Sequence, residues 1–279
     1  MELASRRRLA EALIPVVRRA GDVICSFQKN LQPSRSKPDG SPVTAADLAS
    51  HDILYGGCRA LTTAIPVVSE EDENSAIKAQ NAVAFIIDPL DGTKEFISGR
   101  DEFTINVALV EHGRPTIGLI YAPARGRLFF SYGGGHAFEE KRDGQRSCLA
   151  ERSIPSTRFI ALTSRSHLDQ RTRDVLFASR PCAVRKLGSA LKFALIAAGE
   201  ADAYIRLSPT MIWDCAAGQA LVEATGGVVL GTDGSPLLAL GCSSIRIDGF
   251  IASRTPQLAA QLIKTMQEIS PPNIAGTGN

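Results

Sequence analysis

From Val83 the chain reads Val-Ala-Phe-Ile-Ile and then, without a break, Asp88-Pro-Leu-Asp-Gly-Thr-Lys-Glu-Phe96. A continuous apolar run that meets turn-forming residues reads as a buried strand, so the chain must build a sheet with its core packed on it. The same strand delivers two carboxylates, a proline, a glycine and a hydroxyl to the open end of that sheet. Hard oxygen donors placed there suit Mg²⁺ held against a phosphate.

At 279 residues the chain can bury one large core or two moderate ones, and 44% hydrophobic with 22% charged residues is the balance of a globular protein. Thirty-one basic against 29 acidic residues leave a net charge of +2, which implies no long-range field for nucleic acid. A pocket can still be basic when the whole is not. Cys25, Cys58, Cys148, Cys182, Cys215 and Cys242 are scattered without a C-x-x-C pair, which argues against zinc or a disulfide framework and for reduced thiols in a cytoplasmic protein. No run reaches the ~18 apolar residues of a spanning helix, and Arg6-Arg7-Arg8 and Arg18-Arg19 interrupt the opening segment as no signal peptide would. Leu9, Leu13, Ile14, Val17, Ile24 and Phe27 lie close to helical spacing. They predict a packed surface helix, whose arginines are also compatible with weak peripheral contact to anionic lipid at the inner membrane.

Residues 33–42, rich in Ser, Pro, Lys, Asp and Gly, read as a mobile loop. Thr44 followed by Asp47 has the form of a capping box for a helix reaching about Leu61. Ile65-Pro-Val-Val-Ser-Glu70-Glu71-Asp72 is a second short strand ending in acids. Residues 103–131 form a strand meander with turns at His112-Gly113 and Ala124-Arg-Gly126, and Gly133-Gly-Gly135 is a further turn. Residues 139–156 change in composition and are expected to separate two halves, 1–152 (α+β) and 153–279 (α/β). The second half alternates strand and helix: strands at 159–163, 183–186 and 203–206, helices at 170–179, 189–198 and 215–224. Asp214 precedes the last of these helices, whose Ala216, Ala217, Gly218 and Ala220 allow a close approach to whatever lies beneath. Residues 270–279 are expected to fray.

Glu70-Glu71, Asp88-Pro-Leu-Asp-Gly-Thr93 and Trp213-Asp-x-Ala-Ala-Gly218, in this order, resemble the motifs of the lithium-sensitive, magnesium-dependent phosphomonoesterases of the inositol monophosphatase superfamily. The resemblance runs over residues 10–253 and includes Lys37-Pro-Asp-Gly-Ser-Pro-Val-Thr-Ala-Ala-Asp47, Glu102-Phe-Thr-Ile-Asn-Val-Ala-Leu109, Ser164-Arg-Ser-His167 and Gly188-Ser-Ala-Leu-Lys-Phe193. Thr93-Lys-Glu-Phe96 and the Gly188 segment make the chain most similar to the bacterial 3'(2'),5'-bisphosphate nucleotidases of sulfur assimilation.

That resemblance implies a mixed α/β fold, a layered αβαβα sandwich of the inositol monophosphatase/fructose-1,6-bisphosphatase type with its site between the halves. It implies that Glu70, Asp88 and the Leu90 carbonyl bind one Mg²⁺, that Asp88, Asp91 and Asp214 bind a second, and that a third, weaker ion lies near Glu70. Asp47 and Thr93 are implied to deprotonate the attacking water, with Glu70 sharing the base role. Gly92 and Thr93 amides are expected to hold the scissile phosphate, with Glu70, Leu90, Asp91 and Asp214 also facing the substrate. Gly188, Ser189, Lys192 and Arg206, with His167 and the neighbouring Arg165 and Ser166, are expected at a second phosphate, the amides coming from a helix that begins at Ser189. The substrate is then a small bisphosphate nucleotide; dimers are common in the inositol branch, although this sequence carries no interface signal.

Taken singly, these residues have plainer readings. Asp88-Pro89 reads as a turn, Glu70-Glu71-Asp72 as a solvated acidic patch, Asp214 as an N-cap, Lys192 as a solvated helix residue, His167 as a surface loop residue and Trp213 as a packing anchor. The same metal core could also serve an inositol or sugar phosphate. A non-catalytic binding module would require loss of a ligand or of Thr93, and none is lost.

Overall fold

The computed structural model describes residues 1–29, 35–36, 42–150, 159–237 and 245–269. Helix α1 (Leu3–Lys29) runs across a sheet, burying Leu13, Val17 and Ile24. Its apolar stripe packs into the core, and Arg6 and Arg18 pair with Glu111 and Glu140. Where a loop is expected over 33–42, β1 (Arg35–Ser36) and β2 (Pro42–Val43) pair antiparallel, while the residues between them lie outside those described. Helix α2 (Ala45–Leu61) starts at the expected box: Asp47 Oδ2 accepts from the Thr44 amide at 2.7 Å, and Thr44 Oγ1 accepts from Ala46 N at 3.2 Å. Such a cap is worth ~1 kcal/mol.

Next come β3 (Val67–Ser69), α3 (Ser75–Lys78), β4 (Val83–Asp91), α4 (Thr93–Ile97), β5 (Thr104–Glu111), β6 (Arg114–Ala122), β7 (Arg127–Ser131), β8 (Ala137–Lys141) and β9 (Arg146–Cys148). These strands form one seven-stranded sheet in chain order, parallel only between β3 and β4. Strands β8 and β9 carry this sheet into the stretch of changed composition that begins at 139, inside the expected first half, and the expected boundary at 153 falls outside the described residues. Strand β4 has Phe85 and Ile87 in the core beneath α1 and α2, and Ala84 and Ile86 in the core on the opposite face. A strand alternates its side chains, so Asp88 follows Ala84 and Ile86 toward that opposite face.

The second sheet contains β10 (Ile160–Ser164), β11 (Ala183–Leu187) and β12 (Ala203–Arg206), with α5 (Gln170–Ser179) and α6 (Leu191–Ala197) between them. After β13 (Thr210–Met211) come α7 (Ile212–Ala224), β14 (Val228–Gly231), β15 (Arg246–Ile247), β16 (Phe250–Ser253) and α8 (Pro256–Ile269). Strand order is β11-β10-β12-β16-β14; the first three are parallel, as strand-helix alternation requires, whereas β16 pairs antiparallel with both β12 and β14. The sequence reading did not include β14, β16 or α8.

Three apolar cores separate the layers: α1 and α2 on the first sheet, α6 and α7 between the sheets, and α5 and α8 on the far side of the second. This is the αβαβα sandwich. Helix α7 lies close on β6, where a Cβ on Gly118 would stand 2.4 Å from the Ala217 carbonyl oxygen and 2.8 Å from Ala220 Cβ. Small residues on both partners permit that approach, which brings the start of α7 to the end of β4. No helix among the described residues is long and apolar enough to cross a membrane.

Candidate active site

The end of β4 and the first turn of α7 bring Asp88, Asp91 and Asp214 together, with one carboxylate oxygen from each lying within 4.8 Å of the others. Asp214 is the third residue of α7 rather than the residue before it, since the helix starts at Ile212. There it accepts from Thr210 Oγ1 and from the Met211 amide at 3.3 Å, so its cap role and its place in the cluster coexist. Asp91 Oδ2 accepts from Asn106 Nδ2 at 3.2 Å and from the Ala190 amide at 2.5 Å. Asp88 is 1% exposed; its Oδ1 accepts from the Leu90 amide at 3.0 Å, and its Oδ2 is buried with no partner among the described residues. Glu70, one residue past β3, lines the same cavity.

Burial drives the Asp88 carboxyl well above the usual carboxylate range, and the charges of Glu70, Asp91 and Asp214 add to it. Asp91 is pushed up to about 7 by burial and by Asp214, with Lys192 opposing. Like charges this close, with an orphaned buried oxygen among them, are electrostatically unfavourable without a cation. An all-oxygen donor set fits a hard divalent ion rather than zinc or copper.

Asp47 lies in the first turn of α2, 2% exposed, and its Oδ1 accepts from Thr93 Oγ1 at 3.1 Å. Thr93 Oγ1 is also 3.1 Å from the Leu90 carbonyl. Burial raises the Asp47 carboxyl, with the Thr44 hydrogen bonds opposing and Glu71 adding to the rise. One capping residue thus serves helix and hydroxyl together. Helix α4, which starts at Thr93, has five residues, too few for a strong dipole, so anion binding at its start rests on the local amides.

Of the residues expected at the site, all but Asp47 and Arg165 line one cavity of about 530 Å³ between the sheets. Its far wall differs from expectation. Lys192 is buried rather than solvated, 2% exposed, with Nζ donating to the Leu187 carbonyl at 3.1 Å and to the Ser189 carbonyl, and lying 4.8 Å from the Tyr204 ring centroid. Burial lowers its ammonium to about 8, with Asp91 opposing. Arg206 donates to the Pro209 carbonyl at 2.9 Å. Trp213, expected as packing, is largely buried and still lines the cavity.

Helix α6 begins at Leu191 rather than at the expected Ser189, and three amides of this turn have partners. Gly188 N donates to Glu102 at 3.0 Å, Ala190 N to Asp91, and Leu191 N to Ser189 Oγ at 3.2 Å. Arg165 is held by Glu102 and does not line the cavity, whereas His167 and Ser166 do. Asn106, Thr210 and Glu102, which orient the acids and the far wall, were missed as functional residues. Asn106 is the only one of the three with a local signal, a polar side chain within the apolar interior of β5, and it is paired in register with Asp88.

A model of the inositol monophosphatase family matches residues 5–270. The 3'(2'),5'-bisphosphate nucleotidase CysQ of Escherichia coli (strain K12) is 38% identical over 232 residues, 82% of this chain and 93% of that protein. Among solved structures, CysQ from Bacteroides thetaiotaomicron, a bacterial member of the inositol monophosphatase family, superposes with a TM-score of 0.76 at 32% identity, covering 88% of this chain and 97% of that one. A Thermotoga maritima IMPase gives a TM-score of 0.77 at 24% identity over 94% and 98% of the two chains, a likeness of fold.

Proposed function

The chain belongs to the inositol monophosphatase family, and from that premise we propose that it is a 3'(2'),5'-bisphosphate nucleotidase that hydrolyses the 3'-phosphate of 3'-phosphoadenosine 5'-phosphate, giving AMP and inorganic phosphate. The observation that carries this reading is the cavity itself. It joins a carboxylate cluster on one wall to the buried ammonium of Lys192 and the guanidinium of Arg206 on the other. A substrate with two phosphates can use both walls, whereas a monophosphate uses one.

Glu70, Asp88, Asp91, Asp214 and the Leu90 carbonyl would hold two or three Mg²⁺ ions. Bound there, they supply positive charge against the phosphoryl and leaving oxygens and make water more acidic. Thr93 and Asp47 handle the proton: the hydroxyl takes it from the attacking water while passing its own to Asp47 Oδ1, 3.1 Å away. The raised affinity of Asp47 for a proton suits it to that acceptance. Amides at Gly92 and Thr93 steady the scissile phosphate, and Lys192 and Arg206 make charge-assisted bonds to the 5'-phosphate.

The test is phosphate release, with Mg²⁺ present, from 3'-phosphoadenosine 5'-phosphate and from inositol 1-phosphate at matched concentrations. A kcat/KM preference of about 100-fold for the nucleotide, ~2.7 kcal/mol, is expected. Comparable rates would move the protein to the inositol or sugar phosphatase branch with its metal core intact.

A further inference from the structure

Residues 94–96, 102–103, 164–167 and 188–189 carry no metal ligand, yet their polar groups converge on one junction at the cavity rim. Glu102 takes a two-pronged bond from Arg165, Nε to Oε2 at 2.8 Å and Nη2 to Oε1 at 2.6 Å. The same Oε2 accepts the Gly188 amide at 3.0 Å. Arg165 Nη2 also donates to the Lys186 carbonyl at 2.7 Å, and Ser166 Oγ donates to Glu95 at 2.7 Å. Glu95 and Glu102 belong to the first-sheet side, on and just after α4; Arg165, Ser166 and Gly188 follow strands β10 and β11 of the second sheet. The residues carrying the two carboxylates are 4% and 7% exposed, whereas the Arg165 side chain is 33% exposed and Ser166 lies at the surface, so the junction is buried on its acidic side only.

Backbone packing at the junction is equally tight. A Cβ on Gly188 would stand 2.6 Å from Glu95 Cγ and 2.8 Å from the Glu102 carbonyl oxygen, so no other residue fits without displacing the Glu95 side chain and the backbone at Glu102. Beyond Gly188 the chain is tied a second time, at Ala190 N to Asp91, and a third, at Lys192 Nζ to the Ser189 and Leu187 carbonyls. Segment 187–192 is therefore fixed at one end by Glu102 and in its middle by an acid of the cluster. The position of the buried ammonium relative to that cluster follows from both ties.

We propose that Glu102 is a positioning residue for substrate selection. By gripping Arg165 and the Gly188 amide together, it sets the distance between the carboxylate cluster and Lys192, and so the spacing of two phosphates that the cavity accepts. This role rests on the nucleotidase reading. It assigns Arg165 to the protein's own structure and not to a substrate phosphate. A guanidinium clamped on two sides presents a fixed edge rather than a free donor.

Steady-state kinetics with Mg²⁺ on 3'-phosphoadenosine 5'-phosphate and on adenosine 3'-monophosphate, which lacks the second phosphate, test it. Glu102→Ala should raise KM for the bisphosphate about tenfold, leave KM for the monophosphate within about twofold, and change kcat little for either. Glu102→Gln, which keeps an acceptor for Gly188 N, should fall between, and Arg165→Lys, on a partly exposed side chain, should shift the bisphosphate KM in the same direction. These two milder variants carry the test if Glu102→Ala does not fold. Equal KM changes for the two substrates, or a lowered Tm with neither KM altered, would leave Glu102 a plain structural clamp and overturn the proposal. A wild-type chain with no preference for the bisphosphate would overturn the nucleotidase reading and the selection role with it; a preference that survives unchanged in all three variants would overturn the selection role alone.

Discussion

On the cavity wall made by β4 and the start of α7 three carboxylates crowd within 4.8 Å and one buried oxygen of Asp88 has no partner among the described residues, whereas on the α6 wall the amides of Gly188, Ala190 and Leu191 and the ammonium of Lys192 are all engaged. The first wall is electrostatically incomplete until a cation arrives. The second is pre-organised and would lose order if disturbed. Their difference teaches a division of labour: instability is concentrated where charge must be supplied by metal, and rigidity where a phosphate must be measured against it.

Removing charge from the β4 wall is the harshest way to break this contrast. Asp88→Asn should lower metal-dependent kcat/KM by ~10³-fold or more while raising the Tm of the metal-free protein by a few degrees, about 1 kcal/mol, because repulsion is relieved. Steady-state assays and thermal unfolding without metal check the two halves together; a lower metal-free Tm would contradict the claim that the cluster is unfavourable alone. Thr93→Val keeps the shape of the first turn of α4 but removes the hydroxyl between Leu90 and Asp47, and should lower kcat by ~10²- to 10³-fold. Calorimetric Mg²⁺ affinity should be unchanged in that variant, which separates proton handling from metal binding.

A smaller effect belongs to the ordered wall. Lys192→Ala should raise KM for the bisphosphate about tenfold and for a monophosphate much less, with kcat held within about threefold. Equal losses on both substrates would place Lys192 with the cluster instead of with the second phosphate. The gentlest contrast is in pH. Asp91 titrates near 3.8 when unperturbed and is raised to about 7 in the fold. Below its unperturbed value the group carries no penalty. As pH rises through about 4 to about 7, the unfolded chain releases this proton first, and the metal-free fold loses stability. The rise in Tm on adding Mg²⁺ should therefore be small near pH 5 and several degrees above pH 7; an increment independent of pH would mean that the cluster's charge is compensated by protein alone.

Much of this was legible in the sequence, for reasons visible at particular residues. The run at Val83–Asp91, the box at Thr44 and Asp47, and strand-helix alternation from Ile160 onward are local patterns whose period declares the element. Asp88 and Asp91 were readable because they sit three residues apart at a strand end. Strands β14 and β16 were missed because a short apolar run lacks a period long enough to separate strand from coil, and pairing direction leaves no local mark.

By itself the sequence determined the elements with a clear local period, the donor chemistry and the family motifs, since each depends on residues within a turn or a strand of one another. Only the tertiary structure decided who holds whom. Arg165 reaches Glu102 across 63 positions, Gly188 reaches it across 86, and Ala190 reaches Asp91 across 99. Those distances are set by how closely α7 lies on Gly118 and how two sheets flank α6 and α7. Hydrogen-bond partners follow from that packing at ångström scale, which residue types and spacing do not encode.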